Sequence, residues 1–244
     1  ATGVRHTLEL ARTRWPECTG ALYYKMNDNY PAASWSCADW YGAPKIGHYV
    51  FQDSFAPLHA CLLFSTFNMA AKAAALPVYV LDDAEALAGA AWTVVVRAYD
   101  AGLKEIRRAA YTGQGLPGRV VRVGTFDLEP ALTESCPLLF VSEISKDGTL
   151  VHRTFYWANF EARPGCLFEL PRTRLSLKVE GGRARVCNEG AAPAVGVEIS
   201  RPGHADTFKA EDGFFWLDPG ETRAVAVGAT EGVCVSALNA ANAP

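Results

Sequence analysis

TGALYYKMNDNYPAASWSCADWYGAPKIGHYVFQDSFAP, residues 19–57, is the stretch of this sequence that decides the fold. Its first part, Thr19–Met26, is short and apolar, and it predicts a buried strand. The segment Asn27–Pro31 is rich in turn residues and predicts a loop. A helix is predicted to begin at Pro44, because proline at the first helical position loses no hydrogen bond. The apolar face of that helix would comprise Ile46, Tyr49, Val50 and Phe55.

The residues before this stretch predict another helix, over residues 3–15, which Pro16 ends. Its apolar face would comprise Val4, Leu8, Ala11 and Trp15. Residues 1–57 therefore predict a helix, a strand, a loop and a helix. A single strand between two helices cannot bury both of its faces. We expect this region to be a piece of a larger α/β unit, in which helices cover parallel strands on both sides.

After Pro57 the sequence changes to short β-rich runs separated by turns. Seven candidate strands fall in about 100 residues, a density that suits an immunoglobulin-like (Ig-like) β-sandwich. They are Cys61–Ser65, Pro77–Leu81, Trp92–Tyr99, Glu105–Tyr111, Arg119–Phe126, Leu138–Ile144 and Leu150–Ala158. Asp147-Gly148 predicts a hairpin between the last two.

A linker at Glu161–Pro171 is followed by a second β-rich block. Its candidate strands are Arg174–Val179, Ala184–Cys187, Ala194–Ser200, Phe214–Leu217, Thr222–Val227 and Val233–Ala237. Gly181-Gly182 predicts another hairpin, and Asn239–Pro244 is expected to be a frayed tail. The predicted fold class is mainly β, with two Ig-like β-sandwich domains preceded by a short α/β unit.

Residues 19–57 resemble the end of the catalytic barrel in glycoside hydrolase family 2, above all its β-mannosidase branch. The matching positions are Gly20–Tyr23, Asn27, Asp28, Pro31, Ser34–Ser36, Asp39, Tyr41, Gly42, Lys45, Tyr49 and Phe55–Pro57. Two later segments are similar to segments of that family's C-terminal sandwiches, namely Val78–Asp83 and Asp212–Glu221. The resemblance therefore extends over nearly the whole chain, in the family's order.

This resemblance implies three parts of a larger hydrolase. Residues 1–57 would end a (β/α)8 barrel, residues 58–160 would form one Ig-like sandwich, and residues 170–241 a second. The acid/base and nucleophilic carboxylates of that family would lie upstream, so no catalytic residue is assigned and the chain alone is expected to be inactive. Without barrel neighbours, the strand at Gly20–Met26 would have unpaired edges, and it is expected to be disordered, refolded or paired with another chain.

The resemblance also suggests substrate-binding residues for a β-linked sugar, namely Tyr24, Asn27, Asp28 and Trp35. Tyr24 stands where the family has tryptophan, and Lys25 where it has glutamine. These departures keep β-galactosides, β-glucosaminides and β-glucuronides open as alternatives to β-mannosides. A structural role is the alternative for each residue: Asn27 and Asp28 would fix the turn after the strand, and Tyr24 and Trp35 would pack. Asp39 and Lys45 would form an ion pair that fixes the loop.

Composition excludes several other classes of function. The formal net charge is -3 and no basic cluster stands out, which argues against nucleic-acid binding. No apolar stretch is long enough to cross a membrane. The seven cysteines are widely spaced and odd in number. This favours reduced thiols in a cytoplasmic protein over disulfides. The histidines lack metal-ligand spacing, so no metal and no cofactor is predicted.

Two alternatives to an enzyme part make different predictions about exposure. A carbohydrate-binding module would present Trp157 or Trp216 to solvent. A structural module that braces the barrel, or packs on a second subunit, would expose apolar side chains at Trp15, Leu22 and the helix after Pro44. In the bracing role the partners would be the N-terminal barrel and sandwich domains, which this sequence lacks.

Overall fold

The computed structural model describes residues 2–203 and 208–243; His204, one of the histidines considered above, lies outside them. Its α-helices are α1 (Thr2–Arg12) and α2 (Ile46–Ser54). The chain divides into two compact units. The first unit comprises Thr2–Ala21 and Asp53–Leu167, and the second unit comprises Leu22–Gln52 and the chain from Phe168 onward. No helix in the described ranges is long and apolar enough to cross a membrane.

The first unit contains a seven-stranded antiparallel β-sandwich. Its strands are β1 (Leu58–Leu62), β2 (Ala74–Asp82), β3 (Ala91–Tyr99), β4 (Glu105–Gln114), β5 (Val120–Leu128), β6 (Leu138–Lys146) and β7 (Thr149–Ala158). One sheet has the order β1-β2-β5 and the other β4-β3-β6-β7. Large apolar side chains from both sheets form one core, including the fully buried Phe126 and Phe140. This arrangement confirms the predicted Ig-like sandwich.

The second unit contains a smaller antiparallel sandwich. Its strands are β8 (Leu175–Glu180), β9 (Arg183–Asn188), β10 (Ala194–Ser200), β11 (Phe215–Leu217), β12 (Thr222–Ala226), β13 (Cys234–Ala237) and β14 (Ala240–Ala243). The sheet orders are β12-β9-β8 and β11-β10-β13-β14. The strand β14 corrects the frayed tail predicted after Asn239. It forms because its backbone pairs with β13 and Ala240 packs into the core.

Both predicted hairpins are present. Asp147 and Gly148 have φ angles of 48° and 79°, and Gly181 and Gly182 have 58° and 72°. Two consecutive positive φ angles match the right-handed twist of the flanking strands. These turns join β6 to β7 and β8 to β9, with Lys146 opposite Thr149 and Glu180 opposite Arg183.

The strand predicted at Thr19–Met26 is wrong. Residues 19–26 have no regular secondary structure, and Leu22 is fully exposed at 101%. A strand needs a neighbour to take its backbone N–H and C=O groups, and the ladders of the described residues offer none to this segment. The first helix also ends earlier than predicted, at Arg12, and α2 begins at Ile46.

Candidate functional site

The four predicted substrate-binding residues all lie in one irregular segment of the second unit, residues 22–45, called the site loop below. Backbone hydrogen bonds close the loop on itself. Asp28 N donates to Ala38 O at 3.2 Å, and Ala38 N donates to Met26 O at 2.9 Å. Lys45 N donates to Cys37 O at 2.9 Å. These bonds replace a sheet ladder, so the loop is held without a strand.

The carboxylate of Asp28 is the centre of the loop, with a side chain only 1% exposed. Lys45 Nζ lies 2.8 Å from Oδ2, and Lys25 Nζ lies 3.1 Å from Oδ1. Ser34 Oγ donates a further hydrogen bond to Oδ1. Two ammonium groups and a hydroxyl therefore share one buried carboxylate.

The protonation state of Asp28 follows from these partners. Hydrogen bonds from Lys45 and Ser34 lower the pKa of this carboxyl far below its ordinary value, and burial opposes them only in part. Asp28 is therefore ionised at neutral pH. A carboxylate held in this way cannot donate a proton to a leaving group.

Lys45 is the second anchor of the loop. Its Nζ donates to Ser36 Oγ at 2.8 Å and to Ser34 O at 3.2 Å, in addition to Asp28. The predicted ion pair between Asp39 and Lys45 is therefore wrong, because Lys45 pairs with Asp28. Asp39 instead accepts a hydrogen bond from Ala43 N at 2.9 Å, which closes its own turn.

The remaining predicted residues lie at the surface. Tyr24 is 82% exposed and Trp35 is 66% exposed. The backbone carbonyl of Trp35 accepts a hydrogen bond from Tyr23 OH. Asn27 is exposed and donates from Nδ2 to Asp28 O at 3.0 Å. The structure therefore brings the four residues into one loop, with Asp28 inside it and the other three outside.

Other aromatic side chains of the site loop are exposed as well. They are Tyr30, Trp40 and Tyr41. Lys25 Nζ lies 5.6 Å from the centre of the Tyr30 ring, so the lysine that contacts Asp28 also contacts an exposed ring. Aromatic rings above a fixed polar centre make a surface on which the apolar face of a sugar ring can stack.

The site loop does not contain a pair of free carboxylates. Its two acidic residues are Asp28 and Asp39. Asp28 is bound by lysines, and Asp39 closes a turn. Glycoside hydrolysis with two carboxylates needs one as proton donor and, in retaining enzymes, the other about 5–5.5 Å away as nucleophile. Neither residue is therefore placed to act as the proton donor or as the nucleophile.

Sequence reasoning missed the polar partners that hold Asp28. Ser34, Ser36 and Lys45 lie 6, 8 and 17 residues after it in the sequence. The signal was present in the segment Ser34–Ser36, which carries two hydroxyl side chains separated by one residue. Their target could not be read from the sequence, because no periodic element connects them to Asp28.

Comparisons with known proteins give a likeness in structure only. No family model and no curated protein matches the chain. Among solved structures, an exo-chitosanase of Amycolatopsis orientalis is 16% identical with a TM-score of 0.77, over 98% of this chain and 33% of that chain. A β-D-mannosidase of Dictyoglomus thermophilum is 18% identical with a TM-score of 0.70, over 98% and 28%. The chain thus has the fold of about a third of these hydrolases.

Proposed function

We propose that this chain is the C-terminal portion of a β-mannosidase-like exo-acting glycoside hydrolase of family 2. In this proposal residues 1–57 end the catalytic barrel, and the sandwiches at 58–160 and 170–241 brace it. The observation that carries the proposal is the match of 98% of this chain to 33% of an exo-chitosanase at a TM-score of 0.77. The order of the matched segments in the sequence supports it independently.

The chemistry of the proposal requires groups outside this chain. Hydrolysis of a β-glycoside by this route needs a proton donor and a second carboxylate. The strongest acidic candidate in the site loop, Asp28, is ionised and bound by Lys45 at 2.8 Å. Its role is to fix the loop, and we expect the chain alone not to hydrolyse glycosides.

The site loop would contribute one wall of the sugar site. Tyr24 and Trp35 would stack against the sugar, and Asn27 would offer its amide to a hydroxyl. Asp28 would hold these residues in place from inside the loop. β-Mannosides are the first substrate class, and β-glucosaminides the second. One matched structure is a complex of the exo-chitosanase with PNP-β-D-glucosamine, with a TM-score of 0.76.

The exposure of tryptophans favours a bracing role for the sandwiches over a sugar-binding one. Trp216 is 1% exposed, so it belongs to a protein interior. Trp157 is only half-buried. Trp15, Leu22, Ile46 and Phe55 are exposed, whereas Tyr49 and Val50 of the predicted helix face are buried. Such exposure is typical of surfaces that pack against further protein.

The role of Tyr24 is tested in the longest reading frame that contains this sequence. Tyr24→Ala should lower kcat/KM for the preferred p-nitrophenyl β-glycoside by about two- to tenfold, the effect of one lost aromatic contact. The matched control is Phe168→Ala, which removes an exposed ring outside the site loop, 71% exposed. Equal effects of the two substitutions on kcat/KM would show that Tyr24 does not contact the sugar.

A further inference from the structure

A second polar cluster lies in the first unit, apart from the site loop. It comprises Asp53, His59 and His152, which come from the last turn of α2, from β1 and from β7. One potential ligand atom from each residue lies within 4.8 Å of the others. The rings of His59 and His152 are 4.8 Å apart between centroids. Three side chains distant in sequence therefore converge on one point.

His59 has the surroundings of a metal ligand. Its side chain is 0% exposed, and Nε2 lies 2.8 Å from Glu9 Oε1. Tyr156 OH also donates to Oε1, at 2.9 Å. The contact with Glu9 engages Nε2 of His59, so Nδ1 is the nitrogen left for a ligand. That buried nitrogen has no hydrogen-bond partner.

Asp53 is held by partners on both of its carboxylate oxygens. Arg5 Nη1 and Thr154 Oγ1 both donate to Oδ2, the latter at 2.6 Å. The other oxygen, Oδ1, lies 2.8 Å from His152 Nε2. The Nδ1 atom of His152 is buried and has no partner. Metal-binding histidines and carboxylates are usually fixed by such outer hydrogen bonds.

We propose that Asp53, His59 and His152 bind a divalent transition-metal ion, for which Zn²⁺ is the best candidate. Two imidazoles and one carboxylate suit zinc, at distances of about 2.0–2.2 Å, and leave a fourth position for water. The ion replaces the hydrogen bond between Asp53 and His152 and takes Nδ1 of His59. It links Asp53 to β1 and β7 within the first unit. This site is independent of the proposed glycosidase function.

The cluster is partly open to solvent. The side chains of His152 and Asp53 are 14% and 23% exposed, which gives an ion a path inward.

Titration of the chain with Co²⁺ and Zn²⁺ chlorides tests the proposal. We expect one Co²⁺ per chain, with visible absorption bands of tetrahedral coordination that Zn²⁺ removes. His152→Ala should weaken the affinity at least about tenfold, while His48→Ala, a half-buried histidine outside the cluster, should not change it. Asp53→Asn provides a second ligand substitution if the first variant does not fold.

Three results would overturn the proposal. The first is the absence of Co²⁺ bands in the native chain at millimolar metal. The second is unchanged affinity in a folded His152→Ala or Asp53→Asn variant. The third is loss of binding in His48→Ala. Circular dichroism of each variant shows whether the comparison is made between folded proteins.

Discussion

At the scale of single residues, the site loop depends on one buried carboxylate. Asp28 is only 1% exposed and is balanced by two lysines and a serine. Removing one partner of a buried ion pair leaves an uncompensated charge, which costs more than the pair itself contributes. Lys45 is the partner with the most contacts, so the loop should be most sensitive to its loss.

Lys45→Met should open the site loop while both sandwiches remain folded. We expect amide hydrogen exchange at Ala38 to become roughly tenfold faster, because its bond to Met26 O depends on the loop being closed. Exchange measured by mass spectrometry checks this. Lys104→Met, at an exposed position outside the loop, is the control. Equal exchange in the two variants would show that the ion pair does not hold the loop.

The sequence predicted which residues share a loop better than it predicted the contacts inside that loop. It grouped Tyr24, Asn27, Asp28 and Trp35, which share one loop in the structure. It paired Lys45 with Asp39 instead of Asp28. The sequence does not give the path of the loop, so it could not show which aspartate lies next to Lys45. The cluster around His59 was not predicted, because its histidines are 93 residues apart and only the fold brings them together.

At the scale of elements, buried asparagines connect the loops of each sandwich. Asn159 is 1% exposed, and its Nδ2 donates to Thr133 O at 2.8 Å and Ser135 O at 2.9 Å. Its Oδ1 accepts from Met69 N at 2.9 Å. In the second unit the Nδ2 of Asn239 donates to Pro171 O and Pro193 O, and its Oδ1 accepts from Val195 N. Each asparagine satisfies backbone groups that no strand pairs.

Asn159→Ala should lower the free energy of unfolding of the native chain by about 3 kcal/mol, because three buried backbone groups lose their partner. Asn159 also has a φ of 61°, a conformation that asparagine tolerates better than alanine. Urea denaturation followed by circular dichroism measures the change. The control Asn68→Ala, at an exposed position, should stay within about 0.5 kcal/mol. A loss for Asn159→Ala as small as that of the control would contradict this role.

The predicted elements succeeded where local signals and packing agree. Asp147-Gly148 fixes its hairpin through backbone conformation alone, and the β-rich runs bury alternate side chains against a second sheet. The strand predicted at Thr19–Met26 does not form, although its composition favours a strand. β-propensity expresses the fit to a half-buried sheet surface, and no sheet of the described residues extends to this segment.

At the scale of the whole molecule, two antiparallel sandwiches account for most of the buried apolar surface. Their cores are separate clusters, one in each unit. By contrast, residues 15–55 hold most of the large apolar side chains that are exposed in the described part of the chain. Stable cores beside a strongly exposed apolar segment are typical of a part that packs against further protein. This contrast is the physical basis of the proposed bracing role.

We propose that the sandwiches and the site loop belong to a β-glycosidase whose reacting carboxylates lie outside this chain. The most direct measurement compares this 244-residue chain with the longest reading frame that contains it. Both are assayed on p-nitrophenyl β-D-mannoside, β-D-glucosaminide, β-D-glucoside and β-D-galactoside. We predict no hydrolysis by the chain alone and hydrolysis of at least one substrate, first the mannoside, by the longer protein. Hydrolysis by the chain alone, or no hydrolysis by the longer protein, would contradict this proposal.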